Sequence, residues 1–431
     1  MKYLSLYNII DFGAVPDENT LCTDAFEMAV RQCEQSEGGT IYVPAGRFHT
    51  GPIRLVSNVN LYLDAGAVLL FSNNINDFPT VYSRWEGEEM EVYSPLIYGK
   101  DVENVSVTGH GTLDGQGAAW WELHRNKRLK YPRPRFICFE DSTRVLIDGI
   151  KIINSPAWTI NPVRCNNVTI SGVTIVNPAE SPNTDGINPD SCENVHIHGC
   201  HVDVGDDCIT LKSGVEYSRF RIPCKNITIS DCTLIHGHGG VVIGSEMSGG
   251  VQNVVISNCI FEGTDRGIRL KSRRGRGGTV EDIHVDNIVM KNVMCPIVMN
   301  LYYHCGKGGK ESIVSSKTAQ PINNGTPCFR RIHISSVTSR ETSACAGFCC
   351  GLPEMPVEDI SFHNINIHMA QDAEPGIPAM MDDLDPMRGR GFYFKYMKNA
   401  VFNNVRVEGH EGNAFTIEDC TNVRMVDCTE S

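Results

Sequence analysis

The amino-acid sequence predicts an all-β fold, a single-stranded parallel β-helix whose N-terminal end is covered by a capping helix. Two observations predict it. The 431 residues include 40 glycines, a high count that favours turns over helices. A phrase of one polar residue, alternating β-branched residues and a turn residue also recurs, and the copies at Asn167, Asn194 and Asn226 lie 27 and 32 residues apart. Short strands at such a period indicate a solenoid.

The repeated phrase marks successive coils. Its copies begin at Asn104, Arg144, Asn167, Asn194, Asn226, Asn253, Asp282, Arg331, Asp359, Asn399 and Asn422. With two or three short strands per copy and no helix between them, the fitting architecture is a parallel β-helix. Segments at about 74–95, 305–327 and 371–390 are too long for plain turns and are expected to be inserted loops. We expect one β-helix domain over residues 1–431.

Residues 1–36 are expected to form an N-terminal strand followed by the capping helix. Within 22–36, apolar residues such as Phe26 and Val30 recur at helical spacing, and Thr23 or Asp24 is the expected N-cap. A helix at this position would cover strand edges that otherwise invite aggregation.

Composition excludes several classes of function. The net charge of −13 argues against nonspecific binding to nucleic acid or to an anionic membrane, and no apolar run is long enough to span a membrane. The first residues do not read as an export signal. We therefore expect the 18 cysteines to be reduced thiols in the cytoplasm. Because no Cys-x-x-Cys pair occurs, we expect no zinc site. We also expect no other metal and no cofactor. The oligomeric state is left open.

The stretch DVGDDC, residues 203–208, places two acids side by side after a glycine. Aligning the repeats stacks Ile209, Val241 and Ile268 into an inward apolar ladder. The same alignment stacks Asp185 on Asp207 and places Asp206 above His238 and Asp265. Because neighbouring coils are about 4.8 Å apart, these side chains are expected to share one outer surface, with Gly205 kinking the strand. A lone acidic pair is more often a solvated turn, and only this shared register favours a site.

A basic run follows within RGIRLKSRRGRGG. Arg269 and Lys271 alternate with the apolar Ile268 and Leu270, which indicates a strand with one buried face. The two cations then project beside the acids, as needed to hold a substrate carboxylate. Clustered carboxylates suit either a metal ion or acid–base chemistry, in which repulsion keeps a proton on one of them.

Four motifs in order carry a resemblance to a known family: NTDG at 183–186, GDD at 205–207, GHG at 237–239 and RLK at 269–271. They resemble the signatures of the polygalacturonases, glycoside hydrolase family 28, and the likeness extends over nearly the whole chain. The resemblance implies a right-handed parallel β-helix and inverting hydrolysis of α-1,4-linked galacturonate.

The resemblance also implies roles for the acidic residues. Asp206 would be the general acid, Asp185 and Asp207 would activate the water, and His238 would support the acid. An inverting pair is expected to keep the Asp206 carboxyl about 6.5–9.5 Å from the water-activating carboxylates.

The substrate contacts implied by the resemblance are Asn183, Arg269, Lys271 and Tyr302, with the Arg–Lys pair on the galacturonate carboxylate. The motif surroundings look most like bacterial exo-acting members. We expect a cytoplasmic enzyme that trims oligogalacturonides from the non-reducing end, with the inserted loops walling off a pocket. The alternatives are a rhamnogalacturonan-fragment galacturonidase, a calcium-dependent pectate lyase and a non-catalytic carbohydrate-binding solenoid.

Overall fold

A computed structural model describes residues 5–430, with side chains described as far as Cys428. The chain forms two compact units, one ending at Asp206 and the other beginning at Asp207, and each is described by itself. Residues 1–4 of the predicted N-terminal strand lie outside the described part. The single domain expected over 1–431 stays a prediction.

The first unit is built almost entirely of short strands. They are β1 (Leu6–Asn8), β2 (Asp17–Leu21), β3 (Gly39–Val43), β4 (Gly46–Thr50), β5 (Ile53–Arg54), β6 (Val59–Leu63), β7 (Ala67–Phe71), β8 (Thr80–Trp85), β9 (Glu88–Tyr93), β10 (Ile97–Lys100), β11 (Glu103–Gly109), β12 (Thr112–Asp114), β13 (Ile137–Glu140), β14 (Thr143–Asp148), β15 (Lys151–Ile153), β16 (Asn166–Ser171), β17 (Thr174–Val176), β18 (Glu193–His198) and β19 (His201–Val204). Its helices are α1 (Thr23–Gln35) and α2 (Ala118–Arg125), with 3-10 turns at Ile9–Phe12 and Ile75–Asp77.

These strands stack coil upon coil in parallel pairs. One face runs β1-β3-β6-β11-β14-β16-β18 and another runs β2-β4-β7-β12-β15-β17-β19. In-register valines, Val145, Val168 and Val195, lie at most 1% exposed and form an inward ladder. Only β8 and β9 pair antiparallel among the described strands.

The second unit repeats the pattern. Its elements are β20 (Ile209–Leu211), β21 (Cys224–Ser230), β22 (Thr233–His236), β23 (Val241–Ile243), β24 (Val251–Glu262), β25 (Arg266–Lys271), β26 (Thr279–Lys291), β27 (Cys295–Asn300), α3 (Ser312–Ser315), β28 (Cys328–Thr342), β29 (Cys345–Cys350), β30 (Val357–Met369), β31 (Arg390–Lys395), β32 (Met397–Glu408), β33 (Glu411–Glu418), β34 (Thr421–Val426) and β35 (Thr429–Glu430). One parallel sheet runs β20-β23-β25-β27-β29-β31-β33. The predicted ladder of Ile209, Val241 and Ile268 is confirmed.

The polar residue that opens each repeated phrase has a left-handed backbone. All of those residues, from Asn104 to Asn422, have φ between +53° and +59°. Asparagine and aspartate tolerate this conformation better than other residues with a side chain, which explains their dominance at the position. The amides also bond from coil to coil, as from Asn253 Nδ2 to Asn226 Oδ1 at 3.0 Å.

Replacing Asn253 by Ala is expected to lower the free energy of unfolding by about 1–2 kcal/mol. Alanine is sterically disfavoured in a left-handed backbone, and it loses the side-chain hydrogen bond to Asn226. Asn253→Gly keeps the backbone conformation and should cost less. Urea unfolding of both variants measures the difference, and an equal loss would contradict the left-handed explanation.

The capping helix is present as α1. Its apolar side chains, including Phe26, Ala29 and Cys33, are buried, and it packs against β1, β3 and β5. The predicted cap is wrong, because the N-cap is Cys22 and no side chain caps the helix. The Thr23 hydroxyl instead accepts a hydrogen bond from Gly51 N at 2.8 Å.

The cysteines are all free thiols, and most are buried in the coils. Cys232 and Cys259 are each 1% exposed. A hydrogen bond with Cys232, together with burial, raises the pKa of Cys259, so this thiol stays protonated and unreactive. Within residues 5–430, no helix combines the length and apolarity needed to cross a membrane.

Candidate active site

In the first unit, two predicted acids lie together. A carboxylate oxygen of Asp185 lies within 4.8 Å of one of Asp206. Strand β19 ends at Val204, and Gly205 starts a bend, so strand alternation does not govern where Asp206 points. A Cβ on Gly205 would come within 2.6 Å of the Pro178 carbonyl oxygen, which explains the glycine. This bound joins single oxygen atoms, so the expected separation of 6.5–9.5 Å between the carboxyl groups stays a prediction.

Arg133 is a site residue that sequence reasoning missed. It is 2% exposed and donates to Asn183 Oδ1 at 2.7 Å, so the predicted substrate contact Asn183 is held in place by it. Burial lowers the pKa of Arg133 to about 10, while the charges of Glu86, Asp185 and Asp206 act to raise it. The guanidinium therefore remains charged at neutral pH beside the acids. It precedes β13 within YPRPRF, where no motif marks it.

The inserted segment at 74–95 forms the hairpin β8–β9. Trp85, at the end of β8, stacks on Trp158 with ring centroids 4.9 Å apart. Arg84 ties the hairpin to the coils through an ion pair with Asp190 at 2.9 Å, and it pairs with Glu89 within the hairpin at 2.8 Å. Arg84 and Asp190 are each 1% exposed, so the tie to the coils is buried.

In the second unit, Asp207 is held by the two predicted cations. Lys271 Nζ lies 2.7 Å from Asp207 Oδ2 and Arg269 Nη1 lies 3.1 Å from Oδ1. Burial acts to raise the pKa of Asp207, but Lys271 and Arg269 outweigh it and hold that pKa well below the usual range. The trio of one anion and two cations keeps one net positive charge. We call these three residues the clamp.

A glycine makes the clamp possible. An added Cβ on Gly239 would lie 3.2 Å from Asp207 Oδ1 and 2.4 Å from a Val242 methyl. This close approach explains the second glycine of the GHG motif. Arg269 Nη1 also donates weakly to the carbonyl of His238, at 3.4 Å.

His238 is exposed and is oriented by Asp265. Its Nδ1 lies 2.8 Å from Asp265 Oδ2, which confirms that the two residues stack in register. Burial acts to raise the pKa of Asp265, but the hydrogen bond from His238 and the charge of Arg266 lower it overall. An ionised carboxylate at Nδ1 favours the tautomer that carries the proton on Nδ1.

The two tyrosines of NLYYHCG face different groups, and the one beside the clamp is not the one that the sequence predicted. The ring of Tyr303 faces the clamp, 5.4 Å from Lys271 Nζ and 6.0 Å from Arg269 Cζ. Tyr302 is only 1% exposed, and its ring faces Lys317 at 4.2 Å instead. Substrate contact by Tyr302 stays a prediction, whereas Tyr303 is the neighbour of the clamp that the sequence did not identify.

The inserted loop at 371–390 lies against the clamp. Arg269 Nη2 contacts Met380 Sδ at 3.0 Å, and Arg266 Nη2 donates to the Ile377 carbonyl at 2.6 Å. His304, just before the 305–327 segment, bonds Asp382 of the same loop at 2.7 Å. Arg266 and Arg269 of β25 therefore fasten the 371–390 loop beside the clamp.

The sequence left open that the acid cluster binds a cation. Asp185 and Asp206 are near enough to share a cation, since calcium–oxygen distances are about 2.3–2.6 Å. The Asp207 carboxylate is already bonded by Arg269 and Lys271, so both of its oxygens have partners. Asp207 is thus locked in the ionised form by two cations, which suits acid–base chemistry better than binding of a further cation.

Parallel coils bearing such acids, with an Arg–Lys clamp, define a glycoside hydrolase of the parallel β-helix type. The chain belongs to the family described as Glycosyl hydrolases family 28, whose family model matches residues 33–376. The family suggested by the four motifs is thereby confirmed.

Relatives agree with this assignment. A probable polygalacturonase of Vitis vinifera is 38% identical over 85% of this chain and 75% of its own length. An endo-polygalacturonase of Pectobacterium carotovorum subsp. carotovorum is 31% identical over 72% of this chain and 79% of its own. The structure of a hyperthermoactive exopolygalacturonase from Thermotoga maritima matches with a TM-score of 0.77 and 32% identity, covering 92% of this chain and 91% of that one. The predicted all-β, right-handed parallel β-helix is confirmed.

Proposed function

We propose that the protein hydrolyses α-1,4-galacturonide bonds of pectin-derived oligogalacturonides, without a metal ion or cofactor. The observation that carries the proposal is the set of acids beside cations. Asp207 is fixed as an anion by Arg269 and Lys271, and a carboxylate oxygen of Asp185 lies within 4.8 Å of one of Asp206. Two ionised carboxylates at this distance repel, which favours one retained proton for donation.

Within that pair, Asp206 is assigned as the general acid. It is half-buried, while Asp185 is 3% exposed, and a proton donor has to reach the leaving oxygen of the substrate. Asp185 and Asp207 are assigned to activate the water, and the exposed His238 is assigned to support the general acid. The single net positive charge of the clamp supports binding of one galacturonate carboxylate, with Asn183 and Tyr302 as further substrate contacts.

Inversion is proposed from the family resemblance, and it requires water to attack the face of the sugar opposite the general acid. Proton NMR of the first-formed product is expected to show the β-anomer, and an initial α-anomer would establish retention.

Exo action is supported by the inserts. Within the second unit, Arg266 and Arg269 fasten the 371–390 loop beside the clamp. A loop held beside the clamp supports a pocket for a chain end. We expect steady release of monogalacturonate from polygalacturonate with little early loss of viscosity. A rapid fall in viscosity with products of mixed length would indicate attack within the chain.

A cytoplasmic location is proposed from the free thiols, because buried, unpaired cysteines in this number suit a reducing compartment. Fractionation of the source cells tests it: activity in the soluble cytoplasmic fraction supports the proposal, and activity in the medium opposes it. A substrate panel of oligogalacturonides and rhamnogalacturonan fragments separates the proposed activity from the rhamnogalacturonan alternative.

A further inference from the structure

The basic run RGIRLKSRRGRGG contains three arginines after the clamp that the proposed chemistry does not use. Arg273, Arg274 and Arg276 follow β25 and are only 2%, 3% and 4% exposed. Buried charges are rare unless they are paired. Glu216 pairs with the first and the third of these arginines, and Glu354 pairs with the second. Their remaining N–H groups bind main-chain carbonyls of an inserted loop.

Arg274 caps the last turn of α3, the short helix inside the inserted segment 305–327, which we call the insert. Its Nη1 donates to the carbonyls of Ile313 and Ser316 at 2.9 and 2.7 Å. Its Nε and Nη2 bind the Glu354 carboxylate at 2.6 and 3.0 Å. The last carbonyls of a helix have no partner within the helix, so a cation placed there satisfies them. Arg274 therefore ties the insert to the chain that follows β25.

Arg273 holds the beginning of the insert. Its Nη2 donates to the carbonyl of Lys307 at 2.6 Å. Its main chain also forms an antiparallel bridge with Tyr302, and the next residue, Tyr303, donates its N–H to the carbonyl of Ser272 at 2.9 Å. The start of the insert is thus held against the chain that directly follows the clamp strand β25.

These contacts determine where the Tyr303 ring lies. The ring is 5.4 Å from Lys271 Nζ of the clamp. Its main chain is fixed at Ser272 on one side, and the bond from Arg273 to Lys307 fixes the chain four residues further on. Ordering a loop costs conformational entropy, and a loop that is already ordered in the free protein does not lose that entropy on binding. A fixed insert therefore favours binding at the clamp.

We propose that Arg273 and Arg274 are positioning residues, which hold the insert, and with it the Tyr303 ring, beside the clamp for binding of the substrate carboxylate. They act through the main chain of the insert. The inference rests on the proposed function for the identity of the ligand at the clamp. Loss of either anchor weakens substrate binding and leaves the chemistry of the bound substrate intact.

The kinetic test separates binding from chemistry. Arg274→Met is expected to raise KM for oligogalacturonides about tenfold with little change in kcat, because the acids are untouched and only binding is lost. The matched control is Arg331→Met, since Arg331 ties β28 to Glu281 and Asp282 of β26 at 2.6 and 2.7 Å. The control should keep both constants. A fall in kcat at unchanged KM would overturn the proposal.

A double variant distinguishes anchoring from a buried charge left unpaired. Arg274→Met alone leaves Glu354 as an anion with only 5% of its side chain exposed, which can disturb folding. Arg274→Met with Glu354→Met removes both charges at similar volume, but the carbonyls of Ile313 and Ser316 still lack their donor. We expect KM to stay raised in the double variant. A return to the parent KM would refute anchoring by Arg274.

Trypsin digestion of the full chain keeps this result separate from failure of the proposed function, because it needs no activity. Lys307 and Lys310 are exposed sites within the insert. Cleavage there should be about tenfold faster in both Arg274 variants than in the parent and in Arg331→Met, since loss of the anchor allows local opening. Parent-like cleavage would refute the anchoring. Faster cleavage at an unchanged KM would refute the link to the clamp. Faster cleavage with no turnover even in the parent would refute the proposed function and uphold the anchoring.

Discussion

Replacing Asp206 by Asn is expected to reduce kcat by about 10²–10⁴-fold, the usual value of general acid catalysis. Asparagine has nearly the same shape but has no acidic proton for the leaving oxygen. The half-buried position lies in a bend after β19, so the substitution should leave the coils intact. The rate of hydrolysis of a galacturonide oligomer, with circular dichroism to verify folding, measures the effect.

Asp203→Asn is the matched control, because it makes the same change three residues earlier, on β19. It is expected to keep most of the activity. If Asp206→Asn retained near-normal turnover, the assignment of the acid would be wrong. A parent protein without any turnover would instead agree with the non-catalytic alternative.

Replacing Asp207 by Asn is expected to lower the free energy of unfolding by about 3–5 kcal/mol and to abolish most activity. The change leaves Arg269 and Lys271, 3% and 7% exposed, as buried cations without their anion. Adding Lys271→Met removes one of those uncompensated charges. The double variant should therefore be more stable than the sum of the single effects predicts, as urea unfolding can measure.

The pH dependence of stability gives a second measure of Asp207. The pKa of Asp207 in the folded protein lies well below its unfolded value, because the charges of Lys271 and Arg269 outweigh burial. The stabilising contribution is therefore complete above about pH 4, the ordinary aspartate range, and is lost as pH falls further. The stability difference between the parent and Asp207→Asn should be constant from about pH 5 to 8 and shrink below pH 4. A difference that grew on acidification would contradict the ion pairs.

Most of the coil register could be read from the sequence, because a period-two strand with one buried face allows one alignment of its apolar residues. Ile209, Val241 and Ile268 align as predicted, and Asp265 stacks on His238. The sequence alone does not explain why asparagine opens most repeats, because the reason is the left-handed backbone at that position. Arg144 and Arg331 adopt the same conformation without the side chain that favours it.

The rest of the site depends on geometry that no local pattern encodes. Tyr302 and Tyr303 are adjacent and chemically alike, so only the backbone path determines which ring faces the clamp. Arg133 reaches Asn183 from a proline-rich segment 50 residues away in sequence. The Asp185–Asp206 spacing depends on the bend at Gly205, which a uniform coil spacing cannot predict.

The most direct test is product analysis of the purified protein on α-1,4-linked oligogalacturonides, with and without a chelator. The account predicts saturated monogalacturonate, released at a rate that the chelator does not change and that Asp206→Asn nearly abolishes. An unsaturated, ultraviolet-absorbing product, or activity that the chelator removes, would instead establish a metal-dependent lyase and contradict the hydrolytic assignment of Asp206.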